Sequence, residues 1–207
     1  MASATKSGTT SRRGLLIGAA GLGLVAWGWQ WYLSRTAKIT FVPIPGLDGW
    51  RQVETGAISA GSPADAVFLG IGDEAPTQLS PKALCAHLYP NGDTDTVTFF
   101  TDVQCPNCQS LDAKLQARRD RIKLNRIELP LLGPRSETVA KARLAQALNV
   151  ESESPEVAAH LARNHAAAET LGIWGTPALT IGKTLVMGDL SPDQLDDLID
   201  MDHGRCG

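Results

Sequence analysis

The sequence predicts an α/β sandwich whose sheet contains both parallel and antiparallel strands. In the second half of the chain, short apolar runs rich in β-branched residues alternate with amphipathic segments, as expected for strands and helices that pack together. Two of the runs are separated only by Gly182 and Lys183, which predicts an antiparallel hairpin. With 207 residues and 43% hydrophobic content, the chain is long enough for one well-cored domain with appendages.

The charge balance argues against one large class of partner. The formal net charge is −3, and no run of like charge stands out along the chain. Proteins that bind nucleic acids usually carry a basic patch that neutralises phosphates. A DNA or RNA partner is therefore not expected.

The first predicted element is an apolar stretch, Leu15 to Leu33, that follows Arg12 and Arg13. At about 1.5 Å per residue, this stretch is just long enough to cross a hydrocarbon core of about 30 Å. Aromatic side chains crowd its far end, where they suit the lipid headgroup layer. We expect a single-pass anchor in a bacterial inner membrane, with residues 1–14 in the cytoplasm and the body of the chain in the periplasm.

A cleaved export signal is the alternative interpretation of the same region. The segment Ser11 to Leu16 resembles a twin-arginine signal. Signal cleavage requires small residues around the cut, and Arg35 interrupts the best candidate site. The pattern therefore favours an uncleaved anchor over residues 15–33, and cleavage stays open.

The next elements are a lead-in and a short helix. Proline and glycine punctuate residues 34–79, which predicts an extended lead-in rather than regular core elements. Ser80 is a suitable N-cap and Pro81 a suitable first helical residue, and apolar residues continue at helical spacing through Leu88. A short helix is therefore predicted at the start of the domain that spans residues 80–207.

Two strands enclose a helix that begins at a pair of cysteines. Val97 to Phe100 is a compact apolar run, typical of a strand buried on both faces. The pattern then becomes amphipathic from Cys105 to about Arg119, which indicates a helix. Ile122 to Leu132 predicts a second strand. The cysteine pair thus lies at a strand-to-helix junction.

A helical insertion is predicted over residues 136–171. It consists of two alanine-rich segments, Ser136 to Leu148 and Pro155 to Leu171, with Ser136 as the expected cap of the first. The two segments lie between the second predicted strand and the hairpin. We expect them to form an appendage to the sandwich.

The hairpin and a last helix close the domain. Ala178 to Ile181 and Thr184 to Met187 are the two apolar runs on either side of the turn. Ser191 then caps a helix that starts at Pro192. The predicted order is strand, helix, strand, two helices, hairpin and helix.

The pair Cys105-Pro106-Asn107-Cys108 could be a metal clamp, a structural staple or a redox centre. Structural zinc needs four ligands and commonly takes them from two such pairs, whereas this chain has one. The histidines show no ligand spacing toward Cys105 or toward one another: His87, His160, His165 and His203. No metal site is therefore expected.

A redox role has a direct physical argument. At the N-terminus of a helix, unpaired backbone N–H groups and the helix dipole stabilise a thiolate, so the pKa of Cys105 should fall below the usual value of about 8.5. Cys108, one turn further, could then attack a mixed disulfide formed at Cys105. Pro106 suits the first helical turn because its missing N–H has no helical partner there.

Three segments together resemble a known family: Phe99 to Asp102, Cys105 to Cys108, and Gly175 to Pro177. Over Val97 to Ile199 the chain is similar to DsbA-like thiol-disulfide oxidoreductases of the thioredoxin superfamily. The resemblance implies an α/β thioredoxin-like fold with a short helical insertion, preceded here by the single predicted transmembrane helix. It implies no added cofactor.

The same resemblance assigns roles to individual residues. Cys105 would be the nucleophile and Cys108 the resolving cysteine. Thr176 and a cis Pro177 would lie against the pair and bind the substrate chain. An ordinary turn proline stays open as the alternative for Pro177, because only a small share of X-Pro bonds are cis.

The chain departs from the family pattern in two places. Asn107 replaces the histidine that DsbA carries before its second cysteine, which implies a less strongly oxidising pair. Phe99 occupies the position six residues before the first cysteine, where many relatives bury an acidic residue. Asp102 is nearer the pair, and it is expected either at the rim of the site or as a cap at the strand end.

Cys85 and Cys206 are the remaining cysteines. In an oxidising compartment two leftover thiols are more often joined than free, which predicts a structural disulfide between the short helix and the C-terminal tail. Two unpaired thiols are the alternative. A relay between this pair and the Cys105–Cys108 pair is a more remote one.

These expectations lead to one function and two alternatives. The sequence favours a membrane-tethered, periplasmic thiol-disulfide oxidoreductase that acts on protein substrates, depends on a redox partner protein and serves a membrane client such as a respiratory complex. One alternative is a non-catalytic accessory subunit or assembly factor of such a complex, with a structural Cys105–Cys108 bond. The other is copper delivery by the two thiols and a histidine.

Overall fold

The structure is a computed structural model, and it describes residues 40–54, 78–90, 95–201 and 203–206. Its strands are β1 (Val42–Pro43), β2 (Arg51–Glu54), β3 (Thr96–Thr101), β4 (Lys123–Glu128), β5 (Ala178–Ile181) and β6 (Thr184–Met187). Its helices are α1 (Pro81–Leu88), α2 (Pro106–Gln116), α3 (Pro134–Leu148), α4 (Pro155–Leu171) and α5 (Pro192–Ile199). The predicted order from the first core strand to the last helix is confirmed.

Within the described residues, the strands form one sheet in the order β1-β2-β6-β5-β3-β4. Strand β3 pairs in parallel with β4 and antiparallel with β5, and β5 continues antiparallel to β6. Strand β2 is parallel to β6, and β1 is antiparallel to β2. The expected mixture of parallel and antiparallel strands is therefore confirmed.

Strand β3 lies at the centre of the packing. All its residues are buried, and Phe99 and Phe100 are 0% exposed. Side chains alternate across a sheet, so these two rings lie on opposite faces. Phe100 packs in the core cluster with Leu84 of α1 and Leu171 of α4. The strand is thus covered on both faces, as its continuous apolar run indicates.

The lead-in differs from its prediction, because part of it belongs to the core. Strands β1 and β2 form a hairpin at the sheet edge, and Ile44, Leu47 and Trp50 are buried. The turn is possible because Gly46 and Gly49 adopt positive φ angles of 80° and 76°. The Ile44 N–H donates to the Trp50 carbonyl at 3.0 Å, which closes the hairpin. The expectation of a lead-in without core elements was wrong for this segment.

Two other boundaries differ from the sequence prediction. Strand β4 ends at Glu128 rather than Leu132, because the N–H groups of Leu131 and Leu132 donate to a side-chain carboxylate instead of a neighbouring strand. Helix α3 begins at Pro134 with Gly133 as N-cap, so Ser136 lies inside the first turn and is not the cap. The carboxylate that accepts these N–H groups belongs to Asp102, and it also accepts the Ser136 hydroxyl.

Ionic contacts fix helix α2 and the turn that follows it to the C-terminal part of the domain. Lys114 lies 2.8 Å from Asp189, and Arg118 lies 2.6 Å from Asp196 on α5. Arg121 reaches the same Asp196 carboxylate at 2.8 Å. Arg118 and Lys114 are largely covered, so these contacts hold the helix more firmly than fully exposed pairs would.

The predicted membrane anchor, Leu15 to Leu33, and the twin arginines lie outside the described residues, as does most of the lead-in after Glu54. Among the helices that the structure describes, none is both long and apolar enough to traverse a bilayer.

Candidate redox site

Cys105 occupies the N-cap of α2, and Pro106 is the first helical residue. The loop from β3 turns into the helix through a hydrogen bond of 3.1 Å from the Cys105 N–H to the Asp102 carbonyl. The Cys108 N–H donates to the Cys105 sulfur at 3.0 Å. The two cysteines are joined by a disulfide with a Cα–Cα distance of 5.2 Å. The predicted position of the pair, where a strand leads into a helix, is the observed one.

The pair is buried in this conformation. Cys105 is 0% exposed and Cys108 is 2% exposed, whereas Pro106 is exposed and Asn107 is half-buried. A substrate thiolate must reach a sulfur along the S–S axis for exchange to occur. The segment around Cys105 must therefore rearrange before a protein substrate can react.

Thr176 and Pro177 lie at the same end of the sheet as the cysteine pair. The peptide bond between them is cis, and both residues are buried. Phe100 pairs with Ala178, so continuing the antiparallel register by one residue places Pro177 beside Thr101, the last residue of β3. The Thr176 hydroxyl is buried without a hydrogen-bond partner among the described residues. The structure thus brings both segments of the predicted site to one edge.

Asp102, directly after β3, is a buried carboxylate with four hydrogen-bond donors. One oxygen accepts from the Gln104 N–H at 2.7 Å and from the Ser136 hydroxyl at 2.6 Å. The other accepts from the N–H groups of Leu131 at 2.7 Å and Leu132 at 3.0 Å. The residue is 1% exposed, so it is not at a solvent-facing rim. Its carboxylate fixes the loop that carries Cys105 to the start of α3.

Glu128, the last residue of β4, is a second buried carboxylate at this edge. It is paired with Thr101 in the sheet register, and its carboxylate accepts from Arg143 of α3 at 2.9 Å. Burial raises the pKa of Glu128, and the Arg143 guanidinium opposes this shift. Two carboxylates at the ends of neighbouring parallel strands therefore both bind α3, Asp102 through Ser136 and Glu128 through Arg143.

The sequence pattern did not identify these contacts. Asp102 was predicted near the pair, but Ser136, Gln104 and Glu128 were not assigned to the site. An acidic residue at the end of each of two neighbouring strands was the available signal. This signal indicates that the acidic residues lie at one edge of the sheet, but it does not specify which side chains contact each other there.

The second disulfide lies at the opposite end of the sheet. Cys85 of α1 is joined to Cys206 with a Cα–Cα distance of 5.4 Å, across 121 positions of sequence. Both cysteines line a cavity that also contacts Asp95, just before β3, whereas Cys105 and Cys108 come after the last residue of β3. The length of β3, about 17 Å at 3.3 Å per residue, separates the two ends. Direct relay between the two pairs is therefore excluded in this conformation.

The histidines do not join the cysteine pair in a metal-binding group. His87 of α1 lies 3.0 Å from the Asn164 side-chain oxygen, and its ring centroid is 5.8 Å from that of His160. His203 contacts the Leu198 carbonyl. Among the described residues, no group of three or more histidine, cysteine or acidic side chains could hold a metal ion. The contact between His87 and His160 was not predicted from their spacing.

The chain is similar to one family of protein domains and to several solved structures. A thioredoxin-like domain family matches residues 86–201, just over half of the chain. A thioredoxin-like oxidoreductase from Silicibacter pomeroyi DSS-3 is 26% identical, with 56% of this chain and 95% of that chain covered and a TM-score of 0.48. No curated protein sequence matches the chain.

Two further solved structures are similar at lower identity. The catalytic domain of Proteus mirabilis ScsC is 21% identical, with 55% of this chain and 91% of that chain covered and a TM-score of 0.47. The thiol-disulfide exchange protein alpha-DsbA2 from Wolbachia pipientis is 17% identical, with 58% of this chain and 94% of that chain covered and a TM-score of 0.48.

Proposed function

The chain belongs to the thioredoxin-like domain family, and from that premise we propose that it is a thiol-disulfide oxidoreductase of the DsbA-like type. The family membership confirms the expected thioredoxin-like fold. The proposed reacting groups are Cys105 and Cys108, with Thr176 and Pro177 as the surface against which the substrate chain binds. Protein thiols and disulfides are the proposed substrates.

One observation carries the proposal: the Cys105 sulfur caps a helix and accepts the Cys108 N–H at 3.0 Å. When the pair is reduced, the same N–H and the helix dipole favour the thiolate of Cys105 over its thiol. Burial of Cys105 opposes this effect, because an anion loses hydration in an apolar site. We expect the direct hydrogen bond to dominate and the pKa of Cys105 to fall below that of a free cysteine.

The proposed exchange with the substrate uses the two cysteines and the sulfur atoms of the substrate, and the redox partner restores the pair between turnovers. A substrate thiolate attacks the sulfur of Cys105, the Cys105–Cys108 bond breaks, and its electron pair leaves on Cys108. A second substrate thiolate then attacks the substrate sulfur of the mixed disulfide, which forms the substrate disulfide and leaves the electron pair on Cys105. In the reducing direction, the Cys105 thiolate attacks a substrate disulfide, and Cys108 then attacks the mixed disulfide and releases the reduced substrate. The direction in which this cycle runs depends on the reduction potential of the pair and of its redox partner.

Asp102 has a positioning role in this proposal. Its carboxylate holds the Gln104 N–H and the Ser136 hydroxyl, so it fixes the backbone between β3 and Cys105. A fixed approach matters because exchange requires three sulfur atoms in line. Asp102 does not contact the reacting atoms and is not proposed as an acid or base.

The burial of Cys105 favours a second candidate, a non-catalytic subunit in which the Cys105–Cys108 bond is structural. A sulfur that is 0% exposed cannot meet a protein substrate without a local opening. Such a subunit would keep its thioredoxin-like fold for docking to a membrane complex. The copper-delivery alternative has no comparable support among the described contacts.

The proposed location is the periplasmic face of a bacterial inner membrane, with residues 15–33 as the anchor. The apolar stretch after Arg12 and Arg13 supports the anchor. The bond between Cys85 and Cys206 supports an oxidising compartment, because such bonds rarely persist in a reducing cytosol. A redox partner protein and a respiratory complex as the client remain part of the same proposal.

The test combines a measurement of the thiol-disulfide equilibrium with trapping of mixed disulfides. The reduction potential of the Cys105–Cys108 couple is measured against glutathione, and Cys108→Ala is used to trap mixed disulfides at Cys105. We expect a measurable exchange equilibrium and trapped protein clients, with Cys105→Ala as the control that traps none. Absence of both exchange and trapped clients would instead support the non-catalytic subunit.

A further inference from the structure

A cavity of about 1070 Å³ lies beside the second disulfide, at the end of the sheet opposite the redox pair. Cys85 and Cys206 both line it, together with Trp50 and Tyr89. Both cysteines are half-buried, whereas Cys105 and Cys108 are 0% and 2% exposed. A small molecule can therefore reach the second disulfide more readily than the first in this conformation.

Basic residues are the nearest charged neighbours of the two cysteines along the chain. Lys82 precedes Cys85 by one helical turn on α1, and Arg205 directly precedes Cys206; both are exposed and line the cavity. The other charged groups of the lining come from the lead-in, the hairpin turn and the start of β3: Asp48, Lys183 and Asp95. Three cationic side chains therefore outnumber two carboxylates in the lining of this cavity.

Positive charge beside a disulfide favours exchange in two ways. It attracts thiolates that carry further negative charge. It also lowers the pKa of the cysteine thiol that leaves, and a leaving thiol of lower pKa departs faster. Partly exposed disulfides are in general more easily reduced than fully buried ones.

We propose that Cys85–Cys206 is a second exchange site, opened by small thiols of negative charge such as those of the glutathione class. The thiolate of the small molecule attacks the Cys206 sulfur and forms a new S–S bond, the Cys85–Cys206 bond breaks, and its electron pair leaves on Cys85, which then takes a proton from solvent. A second small thiol attacks the mixed disulfide. The protein pair gains two electrons, and two small thiols become one small-molecule disulfide.

The tail keeps other contacts to the domain when this bond opens. The Lys183 N–H donates to the His203 carbonyl at 3.0 Å, and the hairpin turn at Gly182 packs closely against Gly204. These contacts hold Cys206 near α1 after reduction. The opened pair is therefore expected to close again when the small thiol is removed and a mild oxidant is supplied.

The test uses the full chain with Cys105→Ser and Cys108→Ser, so that only Cys85–Cys206 can react and the result does not depend on the proposed function. Mercaptoethanesulfonate, mercaptoethanol and cysteamine are compared at equal thiolate concentration and low salt. Free protein thiols are alkylated and counted by mass spectrometry. Circular dichroism establishes that the variant is folded during the reaction.

We expect the anionic thiol to react on the order of fivefold faster than the cationic one, and the difference to shrink in about 1 M salt. Lys82→Gln combined with Arg205→Gln should abolish or reverse the preference, because Lys183 then remains with two carboxylates in the lining. The matched control Arg119→Gln, in the exposed turn after α2, should retain the preference. Equal rates for the three thiols would overturn the proposal. So would a disulfide that opens only when the protein is unfolded.

Discussion

The two disulfides occupy opposite ends of one sheet and differ in what surrounds their sulfur atoms. The Cys105–Cys108 bond closes a gap of three positions at a helix N-terminus, where a backbone N–H points at the Cys105 sulfur. The Cys85–Cys206 bond joins positions 121 apart and ties the C-terminal tail to α1. The first arrangement stabilises a thiolate at Cys105 when the pair is reduced. The second stabilises the folded protein, because a disulfide of long span lowers the entropy of the unfolded chain. Sequence span and nearby hydrogen-bond donors therefore predict different main roles for the two bonds: exchange with protein thiols at Cys105–Cys108, and stabilisation of the fold by Cys85–Cys206.

The largest expected effect concerns the rate of thiol-disulfide exchange at the two ends of the sheet. Cys105→Ser should lower the rate of thiol-disulfide exchange with a protein substrate on the order of 10⁴-fold or more, as expected when a nucleophile is lost. The measurement is reduction or oxidation of a test protein disulfide, followed under conditions where the variant is folded.

The control for this prediction is the double variant Cys85→Ser with Cys206→Ser, which should retain most of the exchange activity. The opposite pattern, with activity retained in Cys105→Ser and lost in the double variant, would contradict the proposal. It would show that Cys85 and Cys206, rather than Cys105 and Cys108, exchange with protein substrates.

The next effect concerns stability. In the chain-entropy description, removing Cys85–Cys206 should lower the free energy of unfolding by about 5 kcal/mol, and removing Cys105–Cys108 by about 2 kcal/mol. Each pair is replaced by alanine, and guanidinium unfolding is compared with that of the unaltered protein. If Cys105–Cys108 contributed as much to the free energy of unfolding as Cys85–Cys206, sequence span would not explain the stabilising effect of the two bonds.

A smaller effect is expected from the carboxylate that holds the redox loop. Asp102→Asn leaves one acceptor oxygen for four donors, so buried N–H and O–H groups lose their partner; we expect a loss of about 2 to 3 kcal/mol in the free energy of unfolding. Urea unfolding measures it. The matched control, Asp112→Asn, breaks a partly exposed pair with Arg126 and should cost under about 1 kcal/mol. Equal losses for the two variants would contradict the role given to Asp102.

The smallest effect is a pH dependence at the end that carries Cys85. Burial lowers the pKa of His87 below its usual 6.5, and the neighbouring His160 charge adds to this shift. The folded protein therefore binds fewer protons than the unfolded chain, so the free energy of unfolding should fall as the pH drops below 6.5.

His87→Gln removes this titration, and glutamine can still donate to Asn164. The variant should therefore show a shallower loss of stability between neutral and acidic pH, measured by urea unfolding at several pH values. Parallel curves for the variant and the unaltered protein would exclude His87 as a source of the pH dependence.

Local signals predicted much of the fold. The hairpin of β5 and β6 has the predicted bounds and helix α5 begins at the predicted Pro192, because a Gly182-Lys183 turn and a Ser191 cap act within a few residues. The Ser80 cap in the same way predicted the start of α1, and α4 has the bounds predicted from its alanine-rich composition, Pro155 to Leu171. The sequence of β3 was also sufficient to predict a buried strand, since a continuous apolar run is typical of a strand covered on both faces.

Long-range contacts account for the differences. Strand β2 is held by parallel pairing with β6, more than a hundred residues later, and no local pattern contains that partner. Ser136 looks like a helix cap in sequence, but its hydroxyl donates to Asp102, which lies 34 positions earlier. The burial of Cys105 also depends on tertiary packing. The residue types of the redox site were predictable, whereas its supporting carboxylates were not.

The most direct test of the account is the pKa of Cys105 in the reduced full-length protein. The rate of Cys105 alkylation by iodoacetamide is measured as a function of pH, with the modified peptide identified by mass spectrometry. We predict a midpoint clearly below about 8.5, the value for a free cysteine. A midpoint at or above that value would contradict it, because the helix N-terminus would then fail to stabilise the thiolate on which the proposed exchange depends.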